Sequence, residues 1–164
     1  MKTFLQILFV FSFISVASQV KLELTPEGFA PIEIPKPDKT HEKLIEASKA
    51  WAPFYNKEQN DVYDVTENSF TIDAMKDNAF FYRNLGEVFK HRIKYSLKVT
   101  FLENTIRITF IVKEIYTNKT LTKTTVGDFF APDGRLKEDF EEVRPSLEET
   151  ANKVIRSYSA FIQN

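Results

Sequence analysis

Apolar and polar residues alternate from Arg92 to Phe101. Ile93, Tyr95, Leu97, Val99 and Phe101 are apolar, and Arg92, Lys94, Ser96, Lys98 and Thr100 separate them. A period of two puts the apolar set on one face of a half-buried strand. The alternation resumes after Glu103 and Asn104 with Ile106, Ile108, Phe110 and Val112, so the pattern predicts a hairpin turning at those two residues. With Leu102 opposite Thr105, Phe101 meets Ile106, Val99 meets Ile108, Leu97 meets Phe110 and Tyr95 meets Val112. A slip of one residue would turn one apolar row into water, which fixes the register. The second strand is expected to continue towards Tyr116.

The flanking elements follow from the same patterns. Val20, Leu22 and Leu24, then Ile32 and Ile34, alternate with polar residues before Pro35 and Pro37, so residues 19–38 are extended in character, with a strand favoured at Phe29 to Ile34. Asp38 or Thr40 caps a helix to about Tyr55, whose apolar stripe is Leu44, Ala47, Ser48, Trp51, Ala52 and Tyr55. Pro53 is expected to bend or end it, because it cannot donate to Lys49. A shorter hairpin around Glu67 and Asn68 pairs Val65 with Phe70 and Tyr63 with Ile72. Asp77 to Lys90 carries Phe80, Phe81, Tyr82, Leu85, Val88 and Phe89. That is too apolar for a solvated loop, so it is either a short helix or strand extension, or an apolar surface for a partner. Thr117 to Val126 is a short strand or a loop, Asp133 and Gly134 form a turn, and Leu136 to Val143 is a separate short helix. A final helix carries Pro145 in its first turn, a capping box of Ser146 and Glu149, and the stripe Leu147, Ala151, Val154, Ile155, Tyr158, Phe161 and Ile162.

The start of the chain changes the setting. Lys2, the apolar run Phe4 to Val16, and then Ala17 and Ser18 have the layout of a secretory signal, residues 1–18, with cleavage exposing Gln19. The run is shorter than the roughly 20 residues a spanning helix needs, which disfavours a retained anchor. The expected destination is therefore periplasmic or extracellular, with no membrane-spanning segment after signal removal. Residues 19–38 form an extended N-terminal segment, and residues 39–164 suffice for a single domain with one core. There is no cysteine, which excludes a disulfide framework, a thiolate metal site, a cysteine nucleophile and a lipid-bearing cysteine. Lys and Arg number 22 against 23 Asp and Glu, so no global field draws nucleic acid.

The order strand, helix, four antiparallel strands, helix gives the fold class: α+β, an antiparallel sheet of β-α-β-β-β-β-α order with two helices on one face. The helix with Lys49, Ala50 and Trp51, the "DVYDVTENSFTIDA" hairpin and the stretch "HRIKYSLKVTFLENTIRITF" resemble a bacterial family of exported proteins of unknown function with a TBP-like fold. The family's recurring Trp, Tyr-x-Leu strand and Arg strand would correspond to Trp51, Tyr95 to Leu97, and Arg107. The likeness spans about Lys39 to Tyr116. It implies a fold and no activity, and the segment Asp77 to Lys90 is longer and more aromatic than the family pattern.

Catalytic constellations are hard to write from these residues. His41 shares its helical face with Leu44 and Ile45, so no paired metal ligand stands beside it. His91, between Lys90 and Arg92, reads as an exposed strand-end residue. No serine sits in a glycine-flanked elbow, and four glycines leave no phosphate-cradling loop. Glu141 with Glu142 and Glu148 with Glu149 read as solvated helix faces. The expectation is a non-enzymatic binding module without metal or cofactor.

Two surfaces are candidates for that binding. On the outer sheet face, Arg92, Lys94, Lys98, Arg107 and Lys113 point away from the core, with Lys94 opposite Lys113. Like charges in opposition are mildly destabilising. Either Asp64 and Asp73 of the shorter hairpin compensate them, or an anionic envelope protein, glycan or lipid does. The second candidate is the aromatic segment with Phe80, Phe81, Tyr82 and Phe89. An alternative function is a carrier holding an apolar, lipid-like ligand between the sheet and the C-terminal helix.

Overall fold

The computed structural model describes residues 21–57 and 59–164. The expected signal segment, residues 1–18, lies outside them. The elements are β1 (Leu24–Thr25), β2 (Gly28–Phe29), β3 (Ile32–Pro35), α1 (His41–Asn56), β4 (Asn60–Tyr63), β5 (Ser69–Asn84), β6 (Glu87–Phe101), β7 (Thr105–Thr117), β8 (Thr120–Leu121) and α2 (Val143–Gln163). One sheet has the order β3-β7-β6-β5-β4 with β8 beside β7, and β1 and β2 form a separate small ribbon. Every pairing is antiparallel. Both N-terminal stretches thus contribute strands.

The β6–β7 hairpin has the expected register, from Phe101 with Ile106 to Tyr95 with Val112. Its inward row is buried almost completely, as are Leu44 and Trp51 of α1 and Leu147, Val154 and Tyr158 of α2. Trp51 meets Tyr158 edge to face at 5.1 Å, and Tyr95 stacks on Phe110 at 4.8 Å. Rings of this size bury roughly 150–250 Å² each, so a core built from them can hold the fold without disulfides. The same rings lie in the layer between sheet and helices in which an apolar cargo would have to lie.

Three local expectations are corrected. Helix α1, capped by Thr40, reaches Asn56, close to its expected end at about Tyr55, and of the two outcomes expected at Pro53 only termination is excluded, because Pro53 is exposed and water can satisfy the Lys49 carbonyl. The shorter hairpin pairs Val62 with Ile72 and Tyr63 with Thr71, one residue away from the predicted register. Its connection is wider than a two-residue turn, with Asp64 left-handed at φ 52° and Thr66 bonded to Ser69. In place of a separate helix from Leu136 to Val143 there is a 3-10 turn, Glu138–Phe140, before α2 begins at Val143.

Helix α2 uses its polar residues on neighbouring chain. The Ser146 hydroxyl donates to the Glu142 carbonyl and accepts from the Phe81 amide at 3.3 Å, and Glu149 pairs with Lys153, so the predicted capping box does not form. Glu148 is buried, not solvated: Oε1 accepts the Leu24 amide at 2.9 Å. Buried Asn152 accepts from the Leu22 amide at 2.9 Å and donates to the Leu22 carbonyl at 3.1 Å. These bonds moor the extended N-terminal segment along α2, where no sheet partner satisfies Leu22. Asn152→Ala should therefore lower stability by about 1–3 kcal/mol, the penalty for stranding a buried backbone polar group. Urea melts check the magnitude, and hydrogen exchange should show the Leu22 amide losing protection first.

Candidate binding surfaces

The outer sheet face supplies its own counter-charges. A bulge in β7 pairs Tyr95 with Val112 but Lys94 with Glu114, leaving Lys113 as the extra residue, so the predicted opposition of Lys94 and Lys113 does not occur. Asp73 lies between them, 3.3 Å from the Lys113 ammonium and 3.9 Å from that of Lys94. Lys94 is also 3.8 Å from Glu114. Burial opposes ionisation of Asp73, but hydrogen bonds from Ser96, Tyr63 and Lys113 outweigh it and hold the carboxyl below its usual range. Arg107 reaches Glu33 on β3 at 2.8 Å, and Arg92 reaches Asp77 at 2.8 Å. Lys98 makes no ion pair among the described residues. Asp64 takes no part in the pairs found there, and Asp73 carries the compensation. A row so neutralised offers an anion little net field.

The aromatic segment is a strand extension. The β5–β6 hairpin runs on beyond the region covered by β4, past an irregularity at which Lys76 pairs with Ile93 and Phe80 with His91. Asn78, at φ 49°, lies in the inserted stretch. Because two extra residues keep the parity of β5, Phe80 and Tyr82 stay on the same face as Phe70 and Ile72. The free edge of this distal half is held by α2: Thr150 donates to the Ala79 carbonyl at 2.6 Å, and Ser146 accepts from Phe81. Such an edge, left open, would template pairing with another chain.

Four rings stack along the inner face of the distal hairpin. Phe80 lies on His91 at 4.7 Å, His91 on Tyr82 at 5.2 Å, and Tyr82 on Phe89 at 5.2 Å. Phe129 meets Phe80 edge on, and Phe140 meets Tyr82 edge on. His91 is therefore buried, at 6 % exposure, and not the exposed strand-end residue predicted. The signal was present: His91 and Phe89 continue the odd-numbered row of Ile93 and Tyr95. Phe129 and Phe140 had no comparable signal, since each ends a 3-10 turn too short to show a periodicity. Phe81 faces the other way, with the Arg83 guanidinium 5.4 Å from its ring centre.

The tip of the hairpin is apolar. Asn84 pairs with Glu87 across Leu85 and Gly86, at φ 48° and 83°. Mirror-image turns of this kind favour Asn-Gly. Here the first position is a leucine whose side chain is 100 % exposed, followed by Val88 at 48 %.

Burial holds the His91 imidazole below its ordinary range, against a smaller opposing effect from a hydrogen bond to the Tyr116 backbone. The unfolded chain then takes up a proton before the folded chain does. Stability linked to His91 is present above the ordinary histidine pKa, about 6.5, and is lost as pH falls below it. Thermal melts should show the melting temperature falling between about pH 6.5 and 5, above the range of the shifted carboxylates. His91→Phe, which keeps a ring in the stack, should flatten that slope.

The sequence matches no family model and no curated protein. Among solved structures, the chain is similar to a DUF4468 family protein from Bacteroides ovatus ATCC 8483, with a TM-score of 0.64 and 10% identity over 90% of this chain and 92% of that one. It is also similar to a TBP-like protein from Parabacteroides distasonis ATCC 8503, with a TM-score of 0.60 and 14% identity over 82% of this chain and 92% of that one. At these identities the likeness speaks to fold alone. The chain has the TBP-like fold that the resemblance implied, with an α+β order of strands and helices.

Proposed function

We propose that the chain is an exported, non-enzymatic interaction module of the cell envelope, and that it meets its partner through the tip of the β5–β6 hairpin. The observation that carries this reading is Leu85. A leucine in the left-handed region costs roughly 1–2 kcal/mol relative to a residue that suits it. Its side chain is wholly exposed, so the folded chain gains nothing in return. The conformation is reasonable if a partner covers the side chain and Val88 beside it. Ion pairing of the outer cations argues for this tip over the basic face, and close ring packing under α2 argues for a surface contact over an internal apolar cargo. The basic, apolar and small-residue order of residues 1–18 supports export. Among the described residues no helix is long and apolar enough to cross a membrane.

Leu85→Asn separates the two roles of the position. Asparagine suits a left-handed turn, so the melting temperature should hold or rise. Capture of binding partners from the envelope fraction of the source cells by the immobilised mature chain should fall at least about tenfold, the loss of roughly 1.4 kcal/mol of contact. Lys98→Ala should leave capture unchanged. The reverse pattern, retention by Leu85→Asn and loss by Lys98→Ala, would move the contact to the outer face.

A further inference from the structure

The distal β5–β6 hairpin has two edges, and one of them is open. On the β5 side, α2 holds the Ala79 carbonyl and the Phe81 amide through Thr150 and Ser146. On the β6 side, pairing with β7 ends at His91 and Thr117. The chain then turns at Asn118 and Lys119, at φ 48° and 69°, and returns as β8 along the edge of β7 away from β6. Residues 87–90 therefore project beyond their neighbour.

The turn fixes which backbone groups of this overhang face outward. Asn84 and Glu87 close the two-residue turn as a pair that exchanges both hydrogen bonds, and alternate pairs do the same. Tyr82 with Phe89 and Phe80 with His91 are then bonded, whereas Arg83 with Val88 and Phe81 with Lys90 turn their amides and carbonyls away from each other. The Phe81 amide agrees with this parity, because it donates to Ser146 and not to β6. Opposite it, the amides and carbonyls of Val88 and Lys90 point to the side that β7 has left. No group among the described residues bonds them there, and both residues are exposed.

The two outer strands of the sheet are blunted in the usual ways. Strand β3 is four residues ending on Pro35, and β4 is four residues opening on Asn60 and Asp61. The β6 overhang instead presents Val88, 48 % exposed, one strand turn from the fully exposed Leu85. Its outward charge is Lys90, which makes no ion pair among the described residues, while Arg83 on the same face is held by Glu142 at 2.6 Å. A strand antiparallel to β6 sets one residue opposite Lys90 and, two positions later, one opposite Val88, with both side chains on that outer face. Opposite charge suits the first place and an aliphatic side chain the second. A second copy of the chain does not fit, since pairing its Val88 with Lys90 puts its Glu87 opposite His91, where Thr117 already lies. We infer, building on the hairpin-tip contact proposed above, that the partner supplies an extended acidic-x-aliphatic segment that adds to β6 as an antiparallel strand, its backbone bonded to Val88 and Lys90.

The test is an NMR titration of the mature chain with the peptide acetyl-ETVTV-amide. The Val88 and Lys90 amides should shift and saturate together, and the Phe81 amide on the closed edge should not. Replacing the peptide's glutamate by lysine should weaken binding at least about tenfold, and N-methylation of its central valine, which removes a ladder donor, should abolish saturation. Val88→Pro removes an edge amide that β5 does not use, so the melting temperature should hold while the peptide is lost. Lys90→Glu should reverse the preference to the lysine peptide, and this exposed substitution stays decisive if the proline variant folds badly. The inference is overturned if the peptide does not saturate, if the N-methylated peptide binds as well, if the shifts lie elsewhere, or if sedimentation shows a second copy covering these amides. Should no peptide bind while Leu85→Asn still loses envelope capture, the tip contact stands and strand addition falls, so the two failures are separable.

Discussion

The register of β6 against both of its neighbours is the constraint on which this structure depends. Ile93, Tyr95, Leu97 and Val99 each lie opposite an inward residue of β5 or β7, and all four are at 0 % exposure. Helices α1 and α2 can pack only on a face that this register keeps apolar. In a chain without cysteine, no disulfide shares the work of that packing. The buried mooring of Leu22 and Leu24 on Asn152 and Glu148 extends the same core to the N-terminal segment.

Two irregularities divide the sheet into parts with different physics. The extra residue in β7 takes Lys113 out of opposition to Lys94 and lets one aspartate, Asp73, serve both ammoniums. The insertion in β5 lies where the sheet leaves the cover of β4 and meets α2 edge on. Beyond it the inner face is roofed by Phe129 and Phe140 from two 3-10 turns instead of by α1 and the body of α2. An open strand edge and an exposed leucine both occur on this distal side.

The elements were legible in the sequence where one rule governed them. The β6–β7 register follows from strict alternation, and the start of α1 follows from Thr40 and its stripe. The structure departs from the expected pattern where a second geometry intervenes. Counting through Val112 to Lys113 assumed an unbroken ladder, although Ile115 already breaks the even-numbered row. Pairing Tyr63 with Ile72 needs a tight turn, whereas left-handed Asp64 opens the loop. Ser146, Glu148 and Asn152 bind backbone far away in sequence, and spacing on one helix cannot reveal such partners. The five basic candidates can be placed on the outer face from alternation alone, but not their ion pairs with Glu33, Asp77 and Glu114. Of the aromatic candidates, Phe80, Tyr82 and Phe89 turn inward into one stack and Phe81 turns outward, a division that alternation predicts once the segment is known to be strand.

The division of the sheet at the β5 insertion is the central claim, and native-state amide hydrogen exchange tests it most directly. Amides of residues 93–99 and 106–110 should exchange only through global unfolding, and their exchange free energies should equal the stability from denaturant melts. Amides of residues 80–82, 84, 87, 89 and 91 should exchange through a smaller, cooperative opening of the distal hairpin. Equal protection on both sides of the insertion would contradict the account, because the sheet would then be one undivided slab and the distal hairpin merely its end.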